Sequence, residues 1–489
     1  MKPSKAKRSS VKNRKRKPKK GNFWLWVVPL SSFLMKIFIS LQISGFDWFR
    51  AGAGDVSRGI SILLDKNYQP SYAWYGADGE NYLKALLGLM NDGLSSNVSQ
   101  LSYWPAGYPI ILWPLIILFG ANFFFILSFL QSLLFALASG FFVSQIYQTR
   151  LRNYSSWIAF AIAFNPTLSL SSLAIGYEIP VVSCLLLSSG LLLRYFRADS
   201  KNLFSKEIYL SALSLSVATF MQPRLLLIAF IFLGFWAVAK FNIRKSLVIL
   251  FVTFLIVMSA PISLVIRNSV AINLKTISTN LGNTMMIGAG PTATGGYISE
   301  YERINCPSAD SATDEASADS AKVKCVLSWY AKNPGKAAKL FWNKARFFWS
   351  PWFGPEANGT MARNPWLKVH PFKSTASTPD GFAIIYGTFG KIVSSLWVFL
   401  SILFLYRGFL ILYKAGGIER LFSLVSFSSI LINMITSMLT IGDHRFRIPT
   451  MAFSLTLQVV GLISLLRGSQ GRLSGESPEV PWPSLKQKS

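Results

Sequence analysis

Residues Leu247 to Ile266 read LVILFVTFLIVMSAPISLVI, twenty consecutive residues without a charged side chain. A helix rises about 1.5 Å per residue, so a run of this length can span the roughly 30 Å hydrocarbon core of a bilayer. The whole chain is rich in apolar residues and poor in charged ones, because 51% of its 489 residues are hydrophobic and only 14% are charged. Soluble domains carry about 25% charged residues. The sequence therefore predicts an all-α polytopic membrane protein.

Similar apolar runs recur along the chain and predict about ten transmembrane helices, with interfacial helices in the first extracytoplasmic loop. The predicted spans are residues 23–44, 121–146, 156–176, 179–196, 207–222, 223–239, 246–265, 384–412, 419–441 and 449–467. The corresponding division of the chain is a basic cytoplasmic tail (1–22), a transmembrane module (23–265) with the candidate catalytic first loop (45–120), an extracytoplasmic segment (266–383), C-terminal transmembrane helices (384–467) and a cytoplasmic tail (468–489).

The net charge of +28 does not indicate a nucleic-acid partner, because of where the charge lies. Eleven Lys and Arg residues fall within the first twenty positions, and no acidic residue occurs before Asp47. Lys and Arg are enriched in cytoplasmic flanks of transmembrane helices, and such clusters attract anionic lipid headgroups. We therefore expect a cytoplasmic N-terminus, membrane lipids as partners and no nucleic acid.

One apolar run, GYPIILWPLIILFG (107–120), is only fourteen residues long and contains Pro114, whereas a crossing helix needs about twenty residues. If it crossed, the basic turns at 148–154 and 194–201 would both be extracytoplasmic, against the positive-inside tendency. We therefore predict an interfacial or re-entrant element. The remaining polar motifs then share the extracytoplasmic side: residues 45–106, Glu178, the Gln222-Pro223-Arg224 turn, residues 266–383 and DHRFRIP (443–449).

The first of these motifs is WYGADGENY (74–82), in which Asp78 precedes an amphipathic helical pattern. Two interpretations of Asp78 are open from the residues alone. It is either an N-cap, since Asp is favoured there, or a carboxylate placed for chemistry. Glu80 fits a solvated acid that complements the helix dipole in the first turn.

The order of these motifs resembles that of GT-C glycosyltransferases, multi-pass enzymes that take a sugar from a polyprenyl phosphate. The likeness is to the dolichyl-phosphate-mannose protein mannosyltransferase type and its bacterial relatives that modify lipopolysaccharide. Asp78, Tyr82 and the stretch from Pro105 to Pro109 match the family's first loop, and Glu178 stands where the second loop carries an acid. The resemblance implies that Asp78 is the general base and that Glu178, with Glu80 and Tyr82, orients the acceptor or a metal.

Basic residues on the same side are candidates for the donor phosphate, since Arg pairs well with phosphate through its planar donor fork. They are Arg267, Arg445, Arg447, Arg224 and Lys36. Arg224 departs from the family pattern, which more often places Arg before the proline. Arg445 and Arg447 would share a face of an extended segment. The alternative for all five is an interfacial or snorkelling role.

The resemblance implies an inverting transferase acting on an extracytoplasmic acceptor hydroxyl, in a glycan, lipid or protein, in a bacterial plasma membrane. No His, Cys and acid cluster has metal-ligand spacing, but Mg²⁺ or Mn²⁺ between carboxylates and phosphate is compatible with the sequence. Two rival hypotheses stay open: a transporter or flippase of lipid-linked sugars, and a non-enzymatic assembly subunit. Transporters tend to be built from internal repeats with mid-membrane sites, and no repeat is visible.

The extracytoplasmic segment contains a small-residue acidic run, SADSATDEASADS (308–320), between Cys306 and Cys325. Its composition predicts a solvated, mobile excursion. Because the topology places both cysteines in an oxidising compartment, we expect a disulfide between them.

Overall fold

The computed structural model describes residues 23–44, 79–120, 123–198, 205–296, 302–351 and 381–466, and no strand occurs within these ranges. Fifteen of the described helices have seven or more residues. In chain order they are α1 (Phe23–Ser44), α2 (Gly79–Asp92), α3 (Gly107–Phe119), α4 (Phe123–Ile146), α5 (Ser155–Ala163), α6 (Glu178–Arg197), α7 (Lys206–Met221), α8 (Leu226–Lys240), α9 (Ile243–Ile272), α10 (Leu281–Ile287), α11 (Glu315–Lys332), α12 (Pro334–Trp349), α13 (Gly381–Ala415), α14 (Gly417–Leu439) and α15 (Ile448–Leu466).

Seven helical segments are long and apolar enough to cross a membrane. They are Phe125–Ile146, Glu178–Arg197, Pro223–Lys240, Ile243–Ile272, Gly387–Ala415, Gly417–Leu439 and His444–Leu466. The chain is therefore an all-α, multi-pass membrane protein by the length and composition of its helices, as the sequence predicted.

Three of the ten predicted spans differ from this set. Residues 23–44 form α1, of which Trp26–Phe38 is a shorter apolar helix, and residues 207–222 give the sixteen-residue α7. The run 156–176 is not one helix, because α5 ends at Ala163 and a short helix follows at Pro166–Ser171. Proline cannot continue the preceding turn, and the side chain of Asn165 accepts the Leu168 N–H at 3.1 Å to start the new one.

The stretch from Leu247 to Ile266 lies within α9 on the outside of the bundle. Leu247, Phe251, Leu255 and Ile266, spaced by multiples of about one helical turn, are each more than half exposed. A continuous apolar stripe of this kind is costly in water and suits a lipid-facing surface. By contrast, α6 and α15 are largely enclosed by other helices.

The helices α13 and α15 approach each other through two glycines. A Cβ atom added to Gly461 would lie 2.0 Å from the carbonyl oxygen of Phe404, and one added to Gly408 would lie 1.9 Å from that of Leu457. Small residues let transmembrane helix backbones come this close. The pair of glycines therefore sets the distance between α13 and α15.

Basic turns gather at one end of the bundle. The Arg150 side chain donates to the carbonyl oxygen of Ala415 at 3.0 Å, and its backbone N–H donates to Glu419 at 2.9 Å. Arg197 donates to the carbonyl of Gln145 at 3.4 Å, and Lys240 to that of Tyr195 at 2.8 Å. The turns at 148–154 and 194–201 are the ones that the sequence analysis assigned to one side of the membrane by assuming that residues 107–120 do not cross it. That this side is cytoplasmic stays a prediction from the positive-inside tendency.

The apolar run 107–120 forms α3, whose thirteen residues are about 20 Å long. Its N-terminal Gly107 lies against the C-terminal end of α7, since an added Cβ would be 1.9 Å from the carbonyl oxygen of Phe220. The helix is too short to cross a bilayer of about 30 Å. Whether it enters the membrane as a re-entrant element stays a prediction.

At the end opposite the basic turns, α10, α11 and α12 form an outer layer with a small core of its own. Met285, Met286, Val326, Tyr330 and Leu340 are buried there. This layer is joined to the bundle by Lys344, whose Nζ donates to the Tyr330 hydroxyl at 3.0 Å and to the Thr440 carbonyl at 2.6 Å. Burial lowers the pKa of Lys344 to about 7 and raises that of Tyr330 to about 12.

The prediction of a mobile excursion at 308–320 is wrong. The run is helical over Pro307–Asp310 and again from Glu315, where α11 begins. Asp314 caps α11 by accepting the Ser317 N–H at 2.9 Å. Asp319 is buried and accepts the Gly282 N–H at 2.7 Å, and this burial raises the pKa of its carboxyl group. Cys306 and Cys325 form a disulfide that joins this segment to α11.

Candidate functional site

The site begins with a buried ion pair between two distant segments. Arg445 Nε lies 2.6 Å from Glu178 Oε1. The Glu178 side chain is 2% exposed and that of Arg445 is 11% exposed. Because an unpaired buried charge is costly, the two side chains stabilise each other in place. The Arg445 guanidinium also lies 5.6 Å from the centre of the Tyr177 ring, within the range of a cation–π contact.

Local sequence signals position both members of this pair. Glu178 is the first residue of α6, where the helix dipole favours an acid. Arg445 lies in a short 3-10 turn, His444–Arg447, that leads into α15. The Asp443 side chain starts this turn by accepting the Arg445 N–H at 2.9 Å, as an N-cap does.

The expectation that Arg445 and Arg447 share a face is wrong, because the segment is a 3-10 turn rather than an extended chain. Arg445 is directed to Glu178, whereas Arg447 donates to the carbonyl oxygens of Trp349 at 3.1 Å and Ser350 at 3.5 Å. Arg447 therefore joins the end of α12 to the bundle.

Arg224 approaches the ion pair from a third segment, the turn between α7 and α8. Its guanidinium lies 4.2 Å from the centre of the Phe446 ring, and it is close enough to Glu178, Arg445 and Tyr82 for electrostatic interaction. Its Nε is buried and has no hydrogen-bond partner within the described part of the chain. A buried donor without a partner is unusual enough to require an explanation.

The first loop contributes two tyrosines to the same region. The rings of Tyr82 and Tyr108 meet edge to face with centroids 5.1 Å apart. The Tyr108 hydroxyl donates to Gln131 Oε1 at 3.1 Å and accepts the Gly176 N–H at 2.9 Å, which ties α3 to the segment before Glu178. The resemblance included Tyr82 and the stretch from Pro105 to Pro109 that contains Tyr108, but it did not include Gln131. The sequence signal for Gln131 is an amide in the middle of the apolar run of α4, whereas the other glutamine of this helix, Gln145, lies at its C-terminal end.

Arg267 does not join this group. Its guanidinium donates to the carbonyl oxygens of Leu94 at 3.1 Å, Leu101 at 3.3 Å and Ser96, and to the Asn268 side chain at 2.9 Å. Four of the five N–H donors of an arginine are thus used. In this arrangement Arg267 fixes the first loop to the end of α9.

Lys36 lies deeper in the bundle. Its side chain is 3% exposed, and Nζ sits 4.4 Å from the centre of the Phe135 ring on α4. Phe135 is one helical turn beyond Gln131 along α4. Lys36 therefore places a buried amine beside Phe135 and is not a member of the ion pair.

Asp78, the candidate base, lies outside the described residues, and so does the side chain of Glu80. The residue that follows Asp78, Gly79, is buried and begins α2. Tyr82 stands one turn farther along this helix and is 4% exposed.

No group of three or more His, Cys, Asp and Glu side chains is placed to hold a metal ion among the residues that were described. A divalent cation at this site stays a prediction. What the described residues offer is one carboxylate, two guanidinium groups and aromatic walls, from four separate segments. Such a set can bind an anion and exclude water around it.

No protein-family model matches this sequence, and no curated protein or solved structure is significantly similar to it.

Proposed function

We propose that this chain is a membrane glycosyltransferase of the GT-C type, which moves a sugar from a polyprenyl-phosphate donor to an acceptor hydroxyl on the extracytoplasmic side of a bacterial plasma membrane. The observation that carries the proposal is the meeting of Glu178, Arg445, Arg224 and Tyr82 at one end of the bundle. These residues come from four segments that are far apart in the sequence, and the sequence analysis named all four as candidates for one extracytoplasmic site.

In the proposed reaction, Arg224 and Arg445 hold the donor phosphate. Arg224 has a buried Nε without a partner among the described residues, and a phosphate oxygen would satisfy it. Arg267 and Arg447 direct terminal guanidinium nitrogens to main-chain carbonyl oxygens, although the Nε of Arg447, like that of Arg224, has no partner among the described residues. We therefore assign them a positioning role around the site rather than the phosphate contact that the sequence predicted.

Asp78 is the proposed general base. It accepts the proton of the acceptor hydroxyl while the hydroxyl oxygen forms its bond to the anomeric carbon. The bond between that carbon and the phosphate oxygen breaks, and its electron pair leaves with the polyprenyl phosphate. The added negative charge falls next to the two arginines, where preorganised cations stabilise it. Attack opposite the leaving group inverts the anomeric centre.

The test is a transfer assay with the full-length protein in nanodiscs. The donors are polyprenyl phosphates carrying a radiolabelled hexose or pentose, and the acceptors are envelope glycans and lipids from cells that lack the protein. We expect label to appear in one acceptor fraction with the wild type, and Asp78→Asn to lose at least about a hundredfold in rate. Asp92→Asn is the matched control, since Asp92 is an exposed acid at the C-terminal end of α2.

A second assay with the same donors, in sealed proteoliposomes, separates the rival functions. Movement of an intact labelled donor to the other leaflet, with no transfer to any acceptor, would indicate a flippase and reject the transferase. Normal transfer by Asp78→Asn would reject Asp78 as the base.

A further inference from the structure

A cleft of about 370 Å³ lies between the first loop and the outer layer. Its first wall comes from α2 and the turn before α3, and its second wall comes from α11 and the segment before α10. The residues that line it are Asn81, Ser99, Gln100, Tyr103, Trp104, Thr279, Glu315, Ala318 and Lys322. Its volume falls within the roughly 300–1,000 Å³ of small-molecule sites.

The two walls are fixed to one another rather than loosely apposed. Asn283 donates to the Tyr103 hydroxyl at 2.6 Å, and the Thr279 N–H donates to the Ser102 carbonyl at 3.0 Å. On the second wall, the Thr279 hydroxyl donates to Glu315 at 3.4 Å. The cleft is therefore a built feature of the fold with defined polar groups at its edge.

We propose that this cleft binds the acceptor of the transfer reaction and that the acceptor is a neutral saccharide. This inference rests on the proposed function and names the substrate class that the site would take. The rings of Tyr103 and Trp104, with centroids 4.5 Å apart, provide an aromatic surface at the cleft. The C–H faces of a sugar ring are apolar and pack well on such a surface.

The polar groups of the cleft fit sugar hydroxyls. Asn81 and Gln100 carry amides, which donate and accept hydrogen bonds at once, as a hydroxyl does. Glu315 can accept hydrogen bonds and Lys322 can donate them. The residues that line the cleft therefore include one acidic and one basic side chain. A phosphate or another anionic ligand would call for an excess of cations. The charge balance therefore favours an uncharged, hydroxyl-rich ligand.

The position of the cleft agrees with this role. Asn81 follows Asp78 by three residues and lies on the same helix as Tyr82, which belongs to the Glu178 site. A saccharide bound against Asn81 and Trp104 would thus present its hydroxyls next to the segment that carries the proposed base.

The experiment measures binding without any requirement for transfer. Saturation-transfer NMR is recorded on the full-length protein in nanodiscs with methyl α-mannoside, methyl β-glucoside and methyl β-galactoside. We expect saturable binding of at least one glycoside, no competition by inorganic phosphate, and roughly five- to tenfold weaker binding by Trp104→Ala. Trp342→Ala is the matched control, since Trp342 is 73% exposed on α12 and does not line the cleft. Gln100→Ala, a milder change at the rim, should also weaken binding if Trp104→Ala fails to fold.

The proposal is overturned if no glycoside binds the wild type, if phosphate competes, or if Trp104→Ala and Gln100→Ala bind as the wild type does. Different results would reject the proposed function and not the saccharide site, or the saccharide site and not the proposed function. Binding that depends on Trp104, together with no sugar transfer, would reject the transferase and leave a saccharide site. Active transfer whose KM for the acceptor is unchanged in Trp104→Ala and Gln100→Ala would reject this cleft and leave the transferase.

Discussion

The carboxylate of Glu178 and the guanidinium of Arg445 are 2.6 Å apart although 267 residues separate them in the sequence. One stands at the start of α6 and the other just before α15, so the pair joins the first half of the bundle to its last helix. Both side chains are largely buried, and a buried charge without its partner lowers the stability of the folded protein.

The effects of removing the two members of this pair on the free energy of unfolding should not be additive. Glu178→Gln or Arg445→Met alone leaves a buried charge, and we expect each to lower the free energy of unfolding by about 3 kcal/mol or more. The double variant should lose less than the sum of the two. Thermal unfolding in detergent micelles compares the stability of the wild type, the two single variants and the double variant, which together form a double-mutant cycle. Additive losses would mean that the two side chains do not stabilise each other.

The control for that cycle is the pair Arg194 and Glu207 at the other end of the bundle. Its atoms are 3.8 Å apart, and the Arg194 side chain is 55% exposed. Exposed pairs contribute about 0–1 kcal/mol. The corresponding Arg194→Met and Glu207→Gln variants should unfold close to the wild type.

Arg267→Gln should loosen the first loop. The substitution removes hydrogen bonds to the carbonyl oxygens of Leu94, Ser96 and Leu101. Ser96 and Leu101 are buried, and a buried acceptor left unpaired costs about 1–3 kcal/mol. We expect faster amide hydrogen exchange across residues 93–103 and reduced stability. Arg303→Gln is a control, because Arg303 is exposed in the outer layer. Unchanged exchange in 93–103 would contradict the positioning role of Arg267.

The glycine contact between α13 and α15 gives a packing prediction. Gly461→Leu puts a side chain where a Cβ alone would be 2.0 Å from the Phe404 carbonyl oxygen. The two helices must then separate, and we expect a loss of about 3 kcal/mol or failure to accumulate in the membrane. Gly234→Ala on α8 is the control, since nothing lies within 4 Å of its added Cβ. Equal behaviour of the two variants in a thermal-stability assay would contradict the close helix contact.

Lys344 should make stability depend on pH. Its pKa is lowered by burial to about 7, below the value of about 10.4 in an unfolded chain. Between these values the unfolded state binds more protons at this site than the folded state, so the free energy of unfolding rises with pH. Stability should increase from pH 7 toward pH 10, by at most about 1.4 kcal/mol per pH unit, and this contribution should be flat below pH 7.

Thermal unfolding between pH 6 and pH 10 measures this dependence. Lys344→Met should lower the slope, because no proton then binds at that position. Lys339→Met is the matched control, as Lys339 is exposed on the same helix, and it should keep the wild-type slope. A slope that Lys344→Met leaves unchanged would mean that another group carries the pH dependence.

The sequence was sufficient for the helical class and for the grouping of the turns. Hydropathy and length identify membrane-spanning helices because a bilayer requires long apolar runs. The positive-inside tendency, combined with the count of crossings, placed the turn at Arg150 with the turn at Arg197, and these residues do share one end of the bundle. The same reasoning put Glu178 and Arg445 on one side, and they are in contact.

The partners of individual arginines could not be predicted in this way. Arg267 and Arg447 bind main-chain carbonyl oxygens, and a carbonyl belongs to every residue, so no sequence signal marks it. The prediction of a mobile excursion at 308–320 rested on overall composition, which does not contain the local signals that start a helix. Ala is the best helix former, and Asp314, the N-cap of α11, was a visible start signal before an alanine-rich stretch.

The Glu178 and Arg445 contact also implies an exchange of counter-ions. Under the proposed function, the donor phosphate would bind the Arg445 guanidinium, which is already paired with the Glu178 carboxylate. The phosphate would have to share Arg445 with Glu178 or displace Glu178 from it. The affinity measured for a donor would then be the difference between two ion pairs. A weak donor affinity would not by itself argue against the site, and releasing Glu178 would supply a second carboxylate only in the occupied state.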